Sequence, residues 1–152
     1  GVNGASGIFS LMMIDVDPFK RINDSFGHLN GDRILKEIAE KIRDNVRDDD
    51  FAARFGGEEF AIVLPETTAQ DAWILGERIR HSVESGHFQA DNNPVRITVS
   101  GGIAQCGENC TVEDIIAAAD RALYRSKEKG RNRITLAGDE IREAWTAGEG
   151  RL

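Results

Sequence analysis

The 152-residue sequence lacks the features that mark membrane, secreted and nucleic-acid-binding proteins. No apolar run approaches the length that spans a bilayer, and no basic start leads into an apolar segment, so neither a membrane helix nor a secretion signal is predicted. Nineteen Lys and Arg stand against 26 Asp and Glu, giving a formal net charge of −7. Partnership with a nucleic-acid polymer is not expected, since it requires clustered positive charge. We expect a cytoplasmic fragment without membrane contact of its own.

Cysteine is also scarce, and the two present, Cys106 and Cys110, lie close together in Cys-Gly-Glu-Asn-Cys. This spacing fits a local disulfide, half of a metal site, or two reduced thiols. Reduced thiols are favoured, because no cluster of His or Cys completes a metal site and the remaining features are those of a cytosolic protein.

The sequence contains enough apolar material for one compact domain, with 40% hydrophobic and 30% charged residues. We expect a linker or truncation edge over 1–7, a folded domain over 8–137 and a tail over 138–152. The apolar patterns predict strands and helices in an α+β arrangement. The strands are predicted at 8–16, 51–55, 59–64, 94–104 and 132–136, and the helices at 31–46, 68–84 and from 111 to near 130.

Acidic residues follow two of these strands. Asp15 ends the first strand, whereas Glu58 and Glu59 follow the Gly56-Gly57 turn of a predicted hairpin. If these strands are neighbours, the carboxylates form a hard-oxygen site. Such a site suits Mg²⁺ or Mn²⁺ held partly by substrate phosphates.

Three separated segments together resemble the GGDEF domain family. The segment 15–32, DVDPFKRINDSFGHLNGD, is similar to the block D-x-D-x-F-K-x-x-N-D-x-x-G-H-x-x-G-D, and 54–60 reads RFGGEEF, the GGEEF variety of the signature. The segment 118–132, AADRALYRSKEKGRN, is similar to A-D-x-A-L-Y-x-A-K-x-x-G-R-N. The order and spacing of all three agree with the family.

The resemblance implies the palm-like nucleotidyl cyclase fold, with a mainly antiparallel central sheet flanked by helices. It also implies a GGDEF catalytic domain over 8–137 that acts as a Mg-dependent diguanylate cyclase. Such an enzyme condenses two GTP into cyclic di-GMP with release of two pyrophosphates. Each domain binds one GTP, so the working species is expected to be a homodimer.

The resemblance assigns roles to individual residues. Asp15, Glu58 and the Val16 carbonyl are expected to bind metal, and Glu58 also to take the proton of the attacking hydroxyl, as a general base or through a metal-bound water. Asp17 and Glu59 are expected to be structural or to support this site. Substrate-binding residues are expected at Asn23, His28, Asp32, Lys127 and Arg131.

Within that set, Asn23 and Asp32 are expected to read the guanine edge, and Lys127 to stabilise charge on the transferring phosphoryl group. A structural role fits His28 equally well. Lys127 and Arg131 also fit a solvated basic face at a helix C-terminus. Pro18 removes an amide donor that the family uses near phosphate.

A further pattern, R-x-x-D from Arg47 to Asp50, ends shortly before Gly56 and resembles the family's site for inhibition by its product, cyclic di-GMP. Arg78 is expected to join this site from a neighbouring subunit or surface. The alternative is a charged loop that caps a helix.

Two function hypotheses follow, an active product-inhibited cyclase and an inactive GGDEF domain that binds GTP as a regulator or serves as a cyclic di-GMP receptor. The intact motif residues favour the cyclase, and the guanine-reading pair disfavours a different nucleotidyl cyclase. Only residues 1–7 precede the first strand where the family has a D-x-L-T-G-L-x-N-R segment and a helix. We therefore expect a catalytic fragment of a longer sensory protein. That protein is either cytosolic or anchored in a membrane with the cyclase as its cytoplasmic part.

Overall fold

The computed structural model of the protein describes residues 7–138, so nearly all of the predicted linker and tail lies outside the described residues. Within them, a five-stranded sheet has the strand order β2-β3-β1-β6-β7, and a separate two-stranded sheet pairs β4 with β5. The elements are β1 (Phe9–Asp17), α1 (Phe19–Phe26), α2 (His28–Asn45), β2 (Phe51–Arg54), β3 (Glu59–Pro65), α3 (Ala69–Glu84), β4 (Phe88–Ala90), β5 (Asn93–Val95), β6 (Thr98–Cys106), α4 (Val112–Glu128) and β7 (Ile134–Leu136).

The sheet is mostly antiparallel, as predicted. β1 lies at its centre, antiparallel to β3 on one side and to β6 on the other, and only the β6–β7 pair is parallel. Eight of the nine β1 residues are buried, which is why this segment is a continuous apolar run in the sequence rather than an alternating one.

The two faces of β1 contact different helices, since successive side chains of a strand point to opposite faces. Met12 and Ile14 pack with α1, α2 and α3 in one buried cluster, whereas Leu11 and Met13 pack with α4 in the other. No helix among residues 7–138 is both long enough and apolar enough to cross a membrane.

Helix α4 packs directly on the backbone of β6. A Cβ at Gly102 would come within 2.2 Å of the Ala119 carbonyl oxygen and of the Leu123 amide nitrogen, so only glycine allows this approach. Ser126 strengthens the same contact by donating from its hydroxyl to the Gly101 carbonyl oxygen over 2.7 Å. The position of α4, and of any side chain at its end, is thereby set by the sheet.

The predicted start of α4 is confirmed. Thr111 accepts from the Asp114 amide and its own amide donates to the Asp114 carboxylate, which completes a capping box.

The predicted secondary structure was wrong in two places. Residues 19–26 form α1, which was not predicted, and α2 begins at His28 rather than at Gly31. The segment 94–104 is not one strand, because Asn93–Val95 pairs with β4 and Thr98–Cys106 pairs with β1. In both places short elements gain their stability from tertiary packing that the local pattern does not display.

The expectation of reduced cysteines is wrong for this structure, in which Cys106 and Cys110 form a disulfide. Cys106 ends β6 and Cys110 precedes α4, and the turn between them brings their Cα atoms to 5.8 Å. That separation falls within the range that a disulfide bridges. Whether the two cysteines pair depends on the geometry of this turn, which the amino-acid composition does not reveal.

Candidate active site

The carboxylates of the first motif and of the hairpin meet at one end of the sheet. Asp15 stands opposite Glu59 in the β1–β3 register, and the Val16 amide donates to the Glu58 carbonyl oxygen over 3.2 Å. Neighbouring antiparallel strands therefore bring Asp15, Val16 and Glu58 together, although more than 40 residues separate them along the chain.

The Gly56-Gly57 turn is closed by its own backbone and by Arg54. The Phe55 amide donates to the Glu59 carbonyl oxygen over 2.8 Å, and the Arg54 guanidinium donates to the Gly57 carbonyl oxygen over 2.6 Å. Neither glycine has a positive φ, so positive φ does not explain this pair. A Cβ at Gly57 would meet no atom within 4 Å, which leaves open space beside Glu58.

Two basic residues reach the same end of the sheet from α4 and the loop after it. The Lys127 ammonium group, in the last turn of α4, forms an ion pair with Asp15 Oδ2. Arg131 lies three residues beyond the end of the helix, with its Nε 3.9 Å from Asp17 Oδ1. The Arg131 side chain is 58% exposed and is accessible to a ligand.

These groups line one open cavity of about 640 Å³. Its mixture of carboxylates and cations suits a phosphate-bearing ligand together with a metal ion. It includes three residues without a predicted role, Lys20, Arg21 and Asp24, which belong to α1. The lining residues are Asp15, Val16, Asp17, Pro18, Phe19, Lys20, Arg21, Asp24, Glu58, Lys127 and Arg131.

Asp15 has one carboxylate oxygen available for a cation. Oδ2 pairs with Lys127, whereas Oδ1 is buried and has no hydrogen-bond partner. Among residues 7–138 no three His, Cys, Asp or Glu side chains converge as a metal-binding group. A donor set of two carboxylates and a carbonyl fits Mg²⁺, which keeps waters and phosphate oxygens in its coordination sphere.

Asp17 is held by protein groups. Its Oδ2 accepts from the hydroxyls of Ser100, over 2.8 Å, and Thr98, over 3.0 Å. Burial raises the pKa of Asp17 above its ordinary value, and these hydrogen bonds oppose the rise. Asp17 therefore supports the end of β1 in this structure.

Glu59 lies beside Asp15 across the β1–β3 pair. Burial, followed by the negative charge of Asp15, raises the pKa of the Glu59 carboxyl group. Like-charge repulsion of this kind favours a bound cation between the two strands.

The predicted guanine-reading residues lie where α1 packs against α2. Asn23 Oδ1 is buried without a hydrogen-bond partner, and a Cβ at Gly31 would collide with it. Asp32 follows Gly31 directly and is exposed. The structure thus packs Asn23 against Gly31, the sequence neighbour of Asp32, and it places His28 on the wall of a different cavity, with Leu29 and Asp91.

Arg47 and Asp50 of the R-x-x-D segment form an ion pair with each other. The Asp50 carboxylate accepts from the Arg47 amide and guanidinium, each over 2.7 Å, and its side chain is fully covered. Arg47 also donates to Thr67 Oγ1 over 2.7 Å. Arg78 is exposed on α3 and lines another cavity with Trp73 and His81.

Comparison with known proteins gives the family. The sequence model of the family described as "Diguanylate cyclase, GGDEF domain" matches residues 3–133. The chain belongs to the GGDEF family.

Curated relatives of this GGDEF chain bear cyclase names. It is 43% identical over 136 residues to Diguanylate cyclase A of Treponema denticola, covering 89% of this chain and 37% of the relative. It is 45% identical over 131 residues to Diguanylate cyclase DgcP of Pseudomonas aeruginosa, covering 86% and 20%. The chain therefore spans well under half the length of these relatives.

Solved GGDEF structures share the fold. The GGDEF domain of DgcB from Caulobacter crescentus in complex with c-di-GMP aligns with a TM-score of 0.82 at 38% identity, covering 86% of this chain and 78% of that one. The active GGEEF domain of a diguanylate cyclase from Vibrio cholerae aligns with a TM-score of 0.79 at 37% identity, covering 86% and 83%.

Lys20 and Arg21 are cavity residues that sequence reasoning missed. They lie in the first turn of α1, and Phe19, Ile22 and Phe26 on the same helix are spaced to pack inward. That apolar spacing was the available signal for a short helix with a basic outer face.

Proposed function

We propose that this domain is a diguanylate cyclase, which joins two GTP molecules into cyclic di-GMP and releases two pyrophosphates. The observation that carries the proposal is the single cavity in which Asp15, Glu58, Lys127 and Arg131 converge, in a chain of the GGDEF family. The names of its relatives as diguanylate cyclases support it. We take 8–137 as the catalytic domain and place the reaction in the cytoplasm, where GTP is supplied.

Lys127 and Arg131 are assigned to the triphosphate. Both cations face the cavity, and the Lys127 ion pair with Asp15 shows that its ammonium group reaches the end of β1. When substrate binds, Lys127 exchanges part of this contact for phosphate oxygens and stabilises the charge that develops on the transferring group. Lys20 and Arg21 add positive charge to the same cavity.

Diguanylate cyclases of the GGDEF family depend on divalent metal, and the residues here fit it. Asp15 Oδ1, the Glu58 carboxylate and the Val16 carbonyl would hold Mg²⁺ or Mn²⁺, which when bound neutralises the triphosphate and favours ionisation of the attacking hydroxyl. Glu58 accepts the proton of that 3′-hydroxyl as general base. Burial, followed by the negative charge of Asp15, raises the pKa of the neighbouring Glu59 carboxyl.

Guanine is assigned to the α1–α2 junction. The buried, unpartnered Oδ1 of Asn23 is an acceptor for a guanine N–H, and the adjoining Asp32 carboxylate accepts from the ring N–H and amino group. His28 lies apart from the Asp15 cavity, so we assign to it at most a contact at the edge of the base.

The reaction needs two copies of the domain. One cavity holds one GTP, and each 3′-hydroxyl has to attack the α-phosphate bound by the facing copy, which makes orientation of the two domains the main requirement. We propose a homodimer as the working species, in keeping with the dimeric action of GGDEF cyclases.

The test is incubation with GTP and Mg²⁺ over a range of protein concentrations, followed by chromatography of the nucleotides. We expect cyclic di-GMP, with a rate per protomer that rises with concentration. Glu58→Gln should lower the rate at least about 100-fold, the scale of general base catalysis. The control Glu113→Gln, an exposed carboxylate on α4, should leave the rate unchanged. GTP binding without any cyclic product would contradict the cyclase and favour the GTP-binding regulator.

We also propose that cyclic di-GMP inhibits the enzyme at Arg47 and Asp50, with Arg78 of a facing copy. A relative of the same fold was solved in complex with c-di-GMP, which supports a product site. The Arg47–Asp50 ion pair already places a guanidinium and a carboxylate together on one loop, and ligand would replace their mutual bonds. The alternative of a receptor that binds cyclic di-GMP without turnover uses the same residues.

Arg47→Ala should relieve product inhibition by about tenfold or more, because a charge-assisted hydrogen bond contributes about 1.5–3 kcal/mol. Arg43→Ala, an exposed arginine on the preceding helix, is the control. Equal inhibition of both variants would contradict the assignment.

A further inference from the structure

The loop that carries Arg131 has an unusual backbone. Gly130, Arg131 and Asn132 have φ values of 118°, 65° and 50°, so three successive residues lie in the left-handed region. Glycine adopts it freely, whereas arginine and asparagine do so at a cost in free energy. Such a conformation persists only where surrounding contacts determine it.

Asn132 supplies some of those contacts through its backbone, beside the bond from the Arg131 amide to the Ser126 carbonyl oxygen. The Asn132 amide donates to Ser100 Oγ over 3.2 Å and to Asp17 Oδ2 over 3.4 Å. These bonds fasten the loop to β6 and to the end of β1, beside the cavity that contains Asp15.

The side chain of Asn132 is held from the other direction by α3. Its Nδ2 donates to Glu84 Oε2 over 2.7 Å, and its Oδ1 accepts from Arg80 Nη1 over 3.1 Å. Arg80 is itself fixed by Glu77, over 2.9 Å, and by Glu84, over 3.1 Å. The side-chain amide thus bonds through its nitrogen and its oxygen to two charged partners that are 48 and 52 residues away along the chain.

Arg131 is held by its own amide, which donates to the Ser126 carbonyl oxygen over 2.9 Å, and by the anchorage of Asn132. The Arg131 side chain is 58% exposed and its Nε contacts Asp17 at 3.9 Å, too far for a hydrogen bond, so side-chain contacts do not fix it. Its direction follows from the backbone of residues 130–132. The anchored backbone at Asn132 therefore helps to direct the Arg131 guanidinium into the cavity.

We propose that Asn132, clamped by Glu84 and Arg80, is a positioning residue that helps to set the affinity of the site for the triphosphate by holding Arg131. This inference rests on the proposed function, because it takes the cavity as a GTP site. It assigns to α3, which contributes no residue to the cavity lining, a part in triphosphate binding.

The test compares binding of 3′-deoxy-GTP, which cannot react, with binding of GMP, by calorimetry with Mg²⁺. Asn132→Gly keeps a residue that tolerates positive φ but removes both side-chain anchors. We expect its affinity for 3′-deoxy-GTP to fall about tenfold, as in Arg131→Ala, and its affinity for GMP to stay unchanged. In Arg131→Ala/Asn132→Gly the loss should equal that of Arg131→Ala alone, because both act through one contact.

Two controls separate positioning from general structure. Asn92→Gly replaces another asparagine of positive φ, 66°, which is exposed in the turn between β4 and β5, and it should bind both ligands normally. Glu84→Gln keeps an acceptor for Asn132 and should bind 3′-deoxy-GTP within about twofold of the unaltered protein. Glu84→Ala should repeat the tenfold loss, and it provides the test if Asn132→Gly does not fold.

Normal 3′-deoxy-GTP affinity in Asn132→Gly or Glu84→Ala would overturn the inference, as would equal losses for 3′-deoxy-GTP and GMP. Additive losses in the double variant would also overturn it. Failure of the unaltered protein to bind 3′-deoxy-GTP at all would instead refute the proposed function, so the two failures are distinguishable.

Discussion

The close contact between α4 and β6 predicts that one added carbon atom, at Gly102, lowers the stability of the fold. The added Cβ of Gly102→Ala would lie 2.2 Å from two backbone atoms of α4, whereas ordinary contact begins at 3.4 Å. The helix therefore has to move away from the strand by about 1.2 Å, since backbone atoms cannot rotate aside as side chains do. Overpacking in a close-packed core costs about 1–3 kcal/mol, and we expect the upper end of that range.

The same displacement should reach the candidate active site, because α4 carries Lys127 to Asp15. A misplacement of about 1 Å can lower a rate about 100-fold, so cyclic di-GMP formation should fall by that order. Urea unfolding followed by circular dichroism gives the free energy, and the nucleotide assay gives the rate. Gly107→Ala is the control, since its Cβ would meet nothing within 4 Å. Gly102→Ala with the stability and rate of Gly107→Ala would refute the reasoning.

Three further predictions concern stability. Ile79→Ala, at a fully buried position on α3, should lower the free energy of unfolding by about 2–5 kcal/mol. Ile74→Ala is the control, because this residue is 54% exposed on the same helix, and it should change that free energy by less than about 0.5 kcal/mol. Similar urea midpoints for the two variants would contradict the packing described. Thr111→Ala removes the cap of α4 and should cost about 1 kcal/mol, measured by the same unfolding experiment, and an unchanged midpoint would mean that the capping box contributes nothing. Reduction of the disulfide should cost about 2 kcal/mol, the loop entropy of a short ring. A Cys106→Ala/Cys110→Ala variant should be insensitive to dithiothreitol, and equal sensitivity of both proteins would refute the pairing.

The parts of the fold that the sequence predicts well are those in which burial is continuous. The apolar run ending at Asp15 predicted a central strand because both of its faces are covered, and the helical spacing in α2, α3 and α4 follows single buried stripes. Helix α1 was missed because eight residues with two buried side chains form a helix only when α2 packs against them.

The candidate site was likewise predictable from the sequence only in part. Asp15 and Glu58 could be placed together in advance, because adjacent antiparallel strands bring their ends into contact. The contacts of Asn132 with Glu84 and Arg80 could not, since polar residues on a helix surface are usually solvated and nothing local marks a partner about 50 residues away. The separation of His28 from the Asp15 cavity likewise depends on the path of α1 and α2.

The hydrogen bond from the Val16 amide to the Glu58 carbonyl has a wider consequence. Because it joins main chain to main chain, it fixes the relative placement of the Asp15 and Glu58 side chains whatever their charge. The charge of the site can be altered by substitution while its shape persists. A cyclase of the kind we propose is therefore one exchange of carboxylate for amide away from a nucleotide-binding domain that retains its fold, so turnover can be lost while recognition is retained.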